Sequence, residues 1–208
     1  MAVHHLTLPA GEAAIRALTA GDEVFLTGEI ITSIGLPTYD RIWDFHTRSE
    51  PLPVDLRGAA LLHVSSYVEE RGEKPEVLYI NPTTSTRFNH LMPRFIRTFG
   101  LRLTGGKGGL DLESARAMQE VGCAYLSFLG GSASFFSSAV KELVAMEWTD
   151  LLVQYRLLRL RVEELGPLIV GIDAKGGNLY DSLQRQATER RPAIMAQLAE
   201  ERARAAEG

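Results

Sequence analysis

The sequence predicts a mixed α/β domain with a charged helical tail, and three observations carry that prediction. In the middle of the chain, short apolar runs rich in β-branched residues alternate with helical stretches, the pattern of strands joined by crossover helices. Between Glu142 and Ile172 several strands follow one another. After Asp181 the chain becomes a run of mixed charge (RQATERRPAIMAQLAEERARAAE). With 208 residues, 45% of them apolar, there is material for one packed domain plus an appendage. The boundary falls between residues 1–180, the domain, and 181–208, the tail.

The elements follow in order. His5 to Leu8 is a short extended piece leading into Pro9, and Gly11 to Leu18 a short helix. Glu23 to Thr32 (EVFLTGEIIT) alternates and is β-branched, so it reads as a strand, and Gly28 inside it marks a bulge or a close backbone contact. Ser33 to Pro37 is a loop, and Thr38 stands where it would cap a helix over Tyr39 to His46. Thr47 to Arg57, with two prolines, is extended loop. Ala59 to Val64 and Val77 to Ile80 read as short buried strands, separated by a charged, exposed Glu69 to Lys74. A helix is expected from about Arg87 to Phe99, a strand over Leu101 to Leu103, and a helix over Asp111 to Val121, whose acidic first turn suits the helix dipole. Cys123 to Leu129 is read as strand, Ser132 to Val140 as helix, and Glu142 to Trp148, Val153 to Leu160 and Pro167 to Ile172 as strands. The tail is helical from Asp181 to about Ala206, with Pro192 as a break.

Composition removes several function classes. Charged residues make up 23% and the net charge is -4, which leaves no basic surface for general nucleic-acid binding. The one cysteine, Cys123, cannot form an internal disulfide or hold an iron–sulfur cluster by itself, and reads as an inert core thiol. The N-terminus lacks a basic stretch followed by an apolar core, and no apolar run is long enough to span a bilayer, so a cytoplasmic location without membrane attachment is expected. The five histidines show no metal-ligand spacing, so no metal is expected on this chain; His90, close to Arg87, is the one nearest a candidate site. Trp43, Phe45, Trp148 and Tyr155 are assigned to the core or to a subunit interface.

Two motifs share one context, a polar loop after an apolar strand and before a helix, where open α/β sheets bind ligands. Asn81-Pro82-Thr83-Thr84-Ser85-Thr86-Arg87 offers four consecutive hydroxyls that can donate to a carboxylate or pass on a proton, and an arginine able to clamp a carboxylate bidentately. The plain alternative is a helix cap followed by a surface arginine. Gly105-Gly106-Lys107-Gly108-Gly109 surrounds one lysine with four glycines, so backbone can approach a ligand closely beside a point charge. It is neither a nucleotide-binding P-loop nor a dinucleotide fingerprint, since no Ser or Thr follows the lysine and the glycine spacing differs. A flexible surface turn is the alternative there. A third cluster, Gly171 to Asn178, reads as a turn, with Asp173 and Lys175 as its polar members.

These stretches, together with Ala20 to Ile30, Gly166 to Val170 and Gly177-Asn178-Leu179-Tyr180, resemble the C-terminal domain of class I fumarases and the separate β subunit of two-component fumarases and L-tartrate dehydratases. The resemblance covers residues 5 to 180 and leaves the tail unexplained. It implies a swivelling β/β/α domain with a mixed sheet. It implies a hydro-lyase that reversibly dehydrates a 2-hydroxy (di)carboxylic acid, in which an α subunit carries a four-iron four-sulfur cluster on three cysteines and this chain binds no cofactor. A homodimer or an α2β2 assembly is implied as well. Carried over by position, Thr83, Thr84 and Lys107 are catalytic candidates, with one of the threonines a candidate for proton transfer, while Arg87, Ser85, Gly106 and Gly108 are candidates for substrate binding.

One stretch departs from the family pattern. Where the family has an Arg-Asp pair that also binds substrate carboxylate, this chain has Ser33-Ile34-Gly35-Leu36, and Arg41 is no convincing replacement. Either the substrate differs from fumarate and malate at the end near Ile34 and Leu36, or another cation such as Arg94 or Arg97 substitutes. The departure also leaves open an anion-binding or regulatory protein that retains the fold without catalysis.

Overall fold

The computed structural model describes residues 1–71 and 74–206, so part of the charged Glu69 to Lys74 stretch lies outside the described residues. Glu23–Thr32 (β2) is the longest of five parallel strands, the others being Val3–Thr7 (β1), Ala60–Leu62 (β3), Leu103–Gly106 (β6) and Ala124–Ser127 (β7), in the spatial order β1-β2-β3-β6-β7. The sixteen-residue strand Leu157–Ile172 (β9) runs antiparallel to β7 at one end and to β2 along most of its length. The sheet therefore closes through β2-β3-β6-β7-β9 and back to β2. Val140–Glu147 (β8) adds to the outer edge of β9.

Strand alternation divides the core in two. Ile30, Leu62, Ala124, Leu126, Leu160 and Val170 point into the closed sheet. Their neighbours Ile31, Leu61, Tyr125 and Ile172 point outward and are covered by three helices, Leu36–Thr47 (α2), Met92–Phe99 (α3) and Leu112–Val121 (α4). Both layers are apolar because the central parallel strands β3, β6 and β7 are buried on both faces, the usual state of parallel strands. The α3 helix repeats Met92, Phe95, Ile96 and Phe99 at helical spacing, all buried, and ends on Gly100 in the left-handed conformation (φ 54). Asp111 caps α4 by accepting from the Ser114 N–H at 2.9 Å.

The remaining elements are two short helices, Glu12–Ala17 (α1) and Ala133–Ser137 (α5), a two-stranded antiparallel hairpin of Val64–Glu69 (β4) and Glu76–Pro82 (β5), a 3-10 turn over Ser85–Phe88, and the tail helix Leu179–Ala206 (α6). The mixed α/β class, the mixed sheet and the C-terminal helix are as the sequence predicts.

Several element readings are corrected. The stretch through Val64 is two strands: the chain leaves the main sheet at His63 and starts the hairpin at Val64. Val77 to Ile80 is a strand but not a buried one, since β5 pairs only with β4 and leaves Leu78 and Tyr79 exposed. Thr38 does not cap α2, which starts one turn earlier after Gly35 with Pro37 in its first turn; the Thr38 hydroxyl instead donates to the Tyr155 carbonyl. Arg87 lies in the 3-10 turn, and the helix proper begins at Met92. Val153–Tyr155 is a 3-10 turn, and Leu157 to Leu160 and Pro167 to Ile172 belong to one strand, Leu157–Ile172. Pro192 sits inside α6 without ending it.

Candidate active site

The carboxyl ends of β2, β3 and β6 lie side by side, so the segments that follow them meet. After β6 comes Lys107. After β3 comes His63, then the hairpin, which returns the chain at Pro82 to the same edge. The two predicted loops join there through their backbones. Lys107 N–H donates to the Thr83 carbonyl at 2.9 Å and Ser85 N–H donates to the Lys107 carbonyl at 2.8 Å. Thr83 N–H donates to the His63 carbonyl at 2.8 Å, and His63 N–H to the Gly105 carbonyl at 2.7 Å. Thr83, Thr84 and Ser85 are thereby stitched to Gly105, Gly106 and Lys107 as one strip.

Glycine is required in this strip. A Cβ on Gly106 would overlap Ser85 Oγ and stand 2.9 Å from the Thr83 carbonyl oxygen. Gly108 and Gly109 both have positive φ (83 and 79), and a Cβ on Gly109 would reach within 2.6 Å of the Tyr180 ring. Gly106 is buried in the strand and its carbonyl accepts from Phe128 N–H at 2.8 Å, whereas Gly108 is exposed beside Thr84.

The side chains of the strip face two ways. Thr83, Thr84 and Lys107 are half-buried. Their hydroxyls and ammonium have no hydrogen-bond or carboxylate partner among the described residues. Arg87 is exposed and likewise has no acidic partner among them. Ser85 points the other way. It is fully buried, and its hydroxyl is taken by the Tyr125 O–H at 2.9 Å and by His63 Nδ1 at 2.8 Å. Two hydroxyls and two cations without internal partners make a surface suited to an anion with several oxygens.

The other polar candidates are occupied elsewhere. Arg97 donates to Glu120 and Glu113 at 2.6 to 2.9 Å, and those carboxylates hold its pKa above the ordinary arginine value. Arg41 is bidentate to Asp150 at 2.8 and 2.7 Å. The Arg94 guanidinium lies over the Trp43 ring at 4.3 Å but has no acidic partner among the described residues, and its Nε is buried without a hydrogen bond. The Ser33 to Leu36 stretch follows β2 and is folded shut: Ser33 N–H donates to the Leu62 carbonyl at 3.2 Å, and the Tyr155 ring covers Gly35 so closely that a Cβ there would lie 2.7 Å from it. Asp173 is buried and accepts from the N–H groups of Ala20, Lys175 and Gly177 at 2.8 to 2.9 Å, which makes the third glycine cluster a turn. His90 is exposed.

Three residues of this region were not among the sequence's site candidates. His63 is fully buried, and desolvation pushes its pKa down to about 3. Tyr125 and Tyr180 pack edge to face at 5.9 Å, and burial raises the pKa of both phenols. Among the described residues no group of His, Cys, Asp and Glu is placed to hold a metal ion. Cys123 stands alone and fully buried, with its thiol pKa pushed up by desolvation, so its surroundings do not fit an iron–sulfur cluster. Among the described residues no helix is long and apolar enough to cross a membrane.

Comparison with known proteins shows the family. Residues 2–183 match the family model described as Fumarase C-terminus. The L(+)-tartrate dehydratase subunit beta of Escherichia coli (strain K12) is 32% identical over 195 residues, which cover 94% of this chain and 95% of that protein. A putative L(+)-tartrate dehydratase subunit beta of Methanocaldococcus jannaschii is 28% identical over 177 residues, 85% of this chain and 90% of that one. A putative fumarate hydratase class I of Geobacillus stearothermophilus is 28% identical over 187 residues, 89% of this chain but 35% of its own length. The chain belongs to the fumarase C-terminus family, alongside the tartrate dehydratase β subunits.

Proposed function

We propose that this chain is the β subunit of a hydro-lyase that reversibly dehydrates a 2-hydroxy dicarboxylic acid, with tartrate as the leading candidate. The observation that carries the reading is the direct backbone pairing of Thr83 and Ser85 with Lys107, which sets on one strip two hydroxyls and an ammonium that have no partner among the described residues. The near full-length similarity to tartrate dehydratase β subunits supports this choice of substrate class.

In this reading Lys107 and Arg87 hold the substrate carboxylates. Thr83 and Thr84 donate hydrogen bonds to the substrate oxygens. Proton loss alpha to a carboxylate builds negative charge on that carboxylate, and fixed cations in a water-poor cleft stabilise it more strongly than bulk water does. The strip is held by main-chain hydrogen bonds, so it pays little reorganisation when that charge appears. The residues of this chain supply one wall. An α subunit carrying a four-iron four-sulfur cluster would supply the opposite wall and, with it, Lewis-acid chemistry toward the substrate hydroxyl.

The stretch at Ser33 to Leu36 is the proposed point of difference from fumarate and malate chemistry. Tyr155 occupies the space beside Gly35, and neither Arg41 nor Arg97 is free to replace the absent arginine. The test is a substrate screen of the complex reconstituted anaerobically with its α partner. Turnover of L-tartrate at least tenfold faster in kcat/KM than of malate is the expected outcome, a difference of about 1.4 kcal/mol. Malate turned over as fast as tartrate would contradict the assignment of Ser33 to Leu36 as the discriminating stretch.

A further inference from the structure

Behind the site strip runs a buried line of polar groups from four segments. Gly109 N–H donates to the Tyr125 hydroxyl oxygen at 3.3 Å, Tyr125 O–H donates to Ser85 Oγ at 2.9 Å, and Ser85 Oγ lies 2.8 Å from His63 Nδ1. At the far end His63 Nε2 lies 3.4 Å from Met92 Sδ. His63, Ser85, Tyr125 and Met92 are all at 0% exposure.

The line has a direction. Gly109 N–H already fills the acceptor side of Tyr125, which turns the phenol proton to Ser85. The single Ser85 proton then has one remaining acceptor, the imidazole Nδ1, so Nδ1 is bare and Nε2 carries the proton toward the Met92 thioether, a weak acceptor. The surroundings favour that neutral form. Phe88 of the 3-10 turn stacks on the imidazole at 4.5 Å and 18°, Tyr39 of α2 is 6.0 Å away, and Gly106 of β6 closes the side toward the strip. Tyr39 and Tyr125, both phenols with raised pKa, are the titratable groups facing it among the described residues, and no carboxylate or cation pairs with it.

If these side chains only filled space, apolar ones of similar volume would serve as well, because a buried polar network is costly unless fully satisfied. This one is hydrogen-bonded at each step from Gly109 to His63 and passes through Ser85, whose own N–H is bonded to the Lys107 carbonyl. We propose that His63, Ser85 and Tyr125 form a one-way hydrogen-bonded brace that fixes the Thr84–Ser85 main chain against Lys107 and so sets the spacing of the threonine hydroxyls and the lysine ammonium. This positioning role rests on the hydro-lyase reading above; the brace itself is independent of it. His63 is thus a positioning residue that acts through Ser85.

Two measurements test it. The first is the ¹⁵N spectrum of the full chain labelled at histidine, with His63→Asn to assign the signal. The expected result is an imidazole bare at Nδ1 and protonated at Nε2, unchanged from pH 8 to pH 5. A His63 protonated at Nδ1 in that range overturns the brace whatever the activity. The second is turnover of L-tartrate by the reconstituted complex. His63→Leu, Ser85→Ala and Tyr125→Phe are expected to lower kcat at least about tenfold with KM moved less than about threefold, since a small misplacement of reacting groups costs rate more than binding. His63→Asn, which keeps an acceptor at the Nδ1 position, is expected to recover most of that loss. The double variant His63→Leu/Tyr125→Phe is expected to be no worse than either single, because both act through one hydroxyl. Full activity in His63→Leu and Ser85→Ala, with complex formation unchanged, overturns the positioning role. A wild-type complex inactive on every hydroxy acid overturns the hydro-lyase reading and the positioning role with it, and the imidazole spectrum then decides the brace alone.

Discussion

Gly106 shows how tightly single residues are constrained at this site. It lies between Ser85 Oγ, the Thr83 carbonyl and His63 Cβ, the last 3.1 Å from where its own Cβ would be. Gly106→Ala must push the two loops apart, and overpacking of this kind costs about 1–3 kcal/mol. The expected outcome is a lower denaturant midpoint with an unchanged m-value, and loss of turnover in the complex. His63 makes a second prediction at this scale. Its folded pKa is depressed to about 3 from an ordinary value near 6.5, so between those limits the unfolded chain binds a proton that the native one does not. Stability from this group is therefore fully present above pH 6.5 and is lost as the pH falls, with a slope approaching 1.4 kcal/mol per pH unit (~2.3RT for one proton). Asp22 is held down to about 2, first by the Ala2 N–H and then by His4, and makes its contribution only at lower pH. Denaturant unfolding at pH 7, 6 and 5 should show the decline in the wild type and a flatter response in His63→Leu; equal slopes would contradict it. Thr83, Thr84, Arg87 and Lys107 were legible in the sequence because hydroxyl and glycine clusters are rare and stand next to apolar runs. His63 was not. It is one histidine in an apolar run, and its partners Ser85 and Tyr125 are 22 and 62 positions away, so only the crossover connections bring them together.

At the scale of elements, the strands that the sequence hid are the irregular ones. Two extra residues in β9 relative to β2 fall between Val162 and Leu168, where the pairing steps from Gly28↔Val162 to Leu26↔Leu165 to Val24↔Leu168. The bulged segment holds Glu163, Glu164 and Gly166-Pro167, residues that read as a strand break but are tolerated where a ladder bond is already lost. Gly28, by contrast, was read correctly from its place in an alternating strand: its φ is 128 and a Cβ there would meet the Leu8 carbonyl oxygen at 2.7 Å. The hairpin β4–β5 escaped because His63-Val64 gives no turn signal at the point where the chain changes sheets. The tail helix gives a prediction of its own. Asn178 Oδ1 accepts from the N–H groups of Tyr180 and Asp181 at 3.0 and 3.2 Å and so starts α6, and Tyr180 still packs against Gly109 and Gly171. From Leu183 to Ala205 every residue is exposed. That exposure also explains how Pro192 fits, since water can solvate the carbonyl left without its partner. Truncation after Leu183 should leave the melting temperature within about 2 °C, because surface residues contribute little, whereas Tyr180→Ala should lower it by more than 5 °C, the shift expected for about 2 kcal/mol or more. Thermal melts of both variants check this.

At the scale of the molecule, the closed sheet explains why the site is where it is. Closure through β9 buries the inside of the sheet, the helices cover one outer face, and the carboxyl ends of β2, β3 and β6 remain as the edge where loops can meet a ligand. That edge presents cations and hydroxyls that have no internal partner among the described residues, which suits the proposed sharing of the site with a partner subunit. The fold class was legible because the alternation of strands and helices is regular; the closure was not, because it depends on one strand pairing with two others. The central claim is that Lys107, held on the Thr83–Ser85 strip, binds substrate carboxylate in a hydro-lyase complex. The most direct test is kcat/KM for L-tartrate in the anaerobically reconstituted complex, wild type against Lys107→Ala, with assembly checked by gel filtration. The account predicts an intact complex with turnover reduced at least about a hundredfold, about 2.7 kcal/mol, and an intact Lys107→Ala complex with near-normal turnover would contradict it.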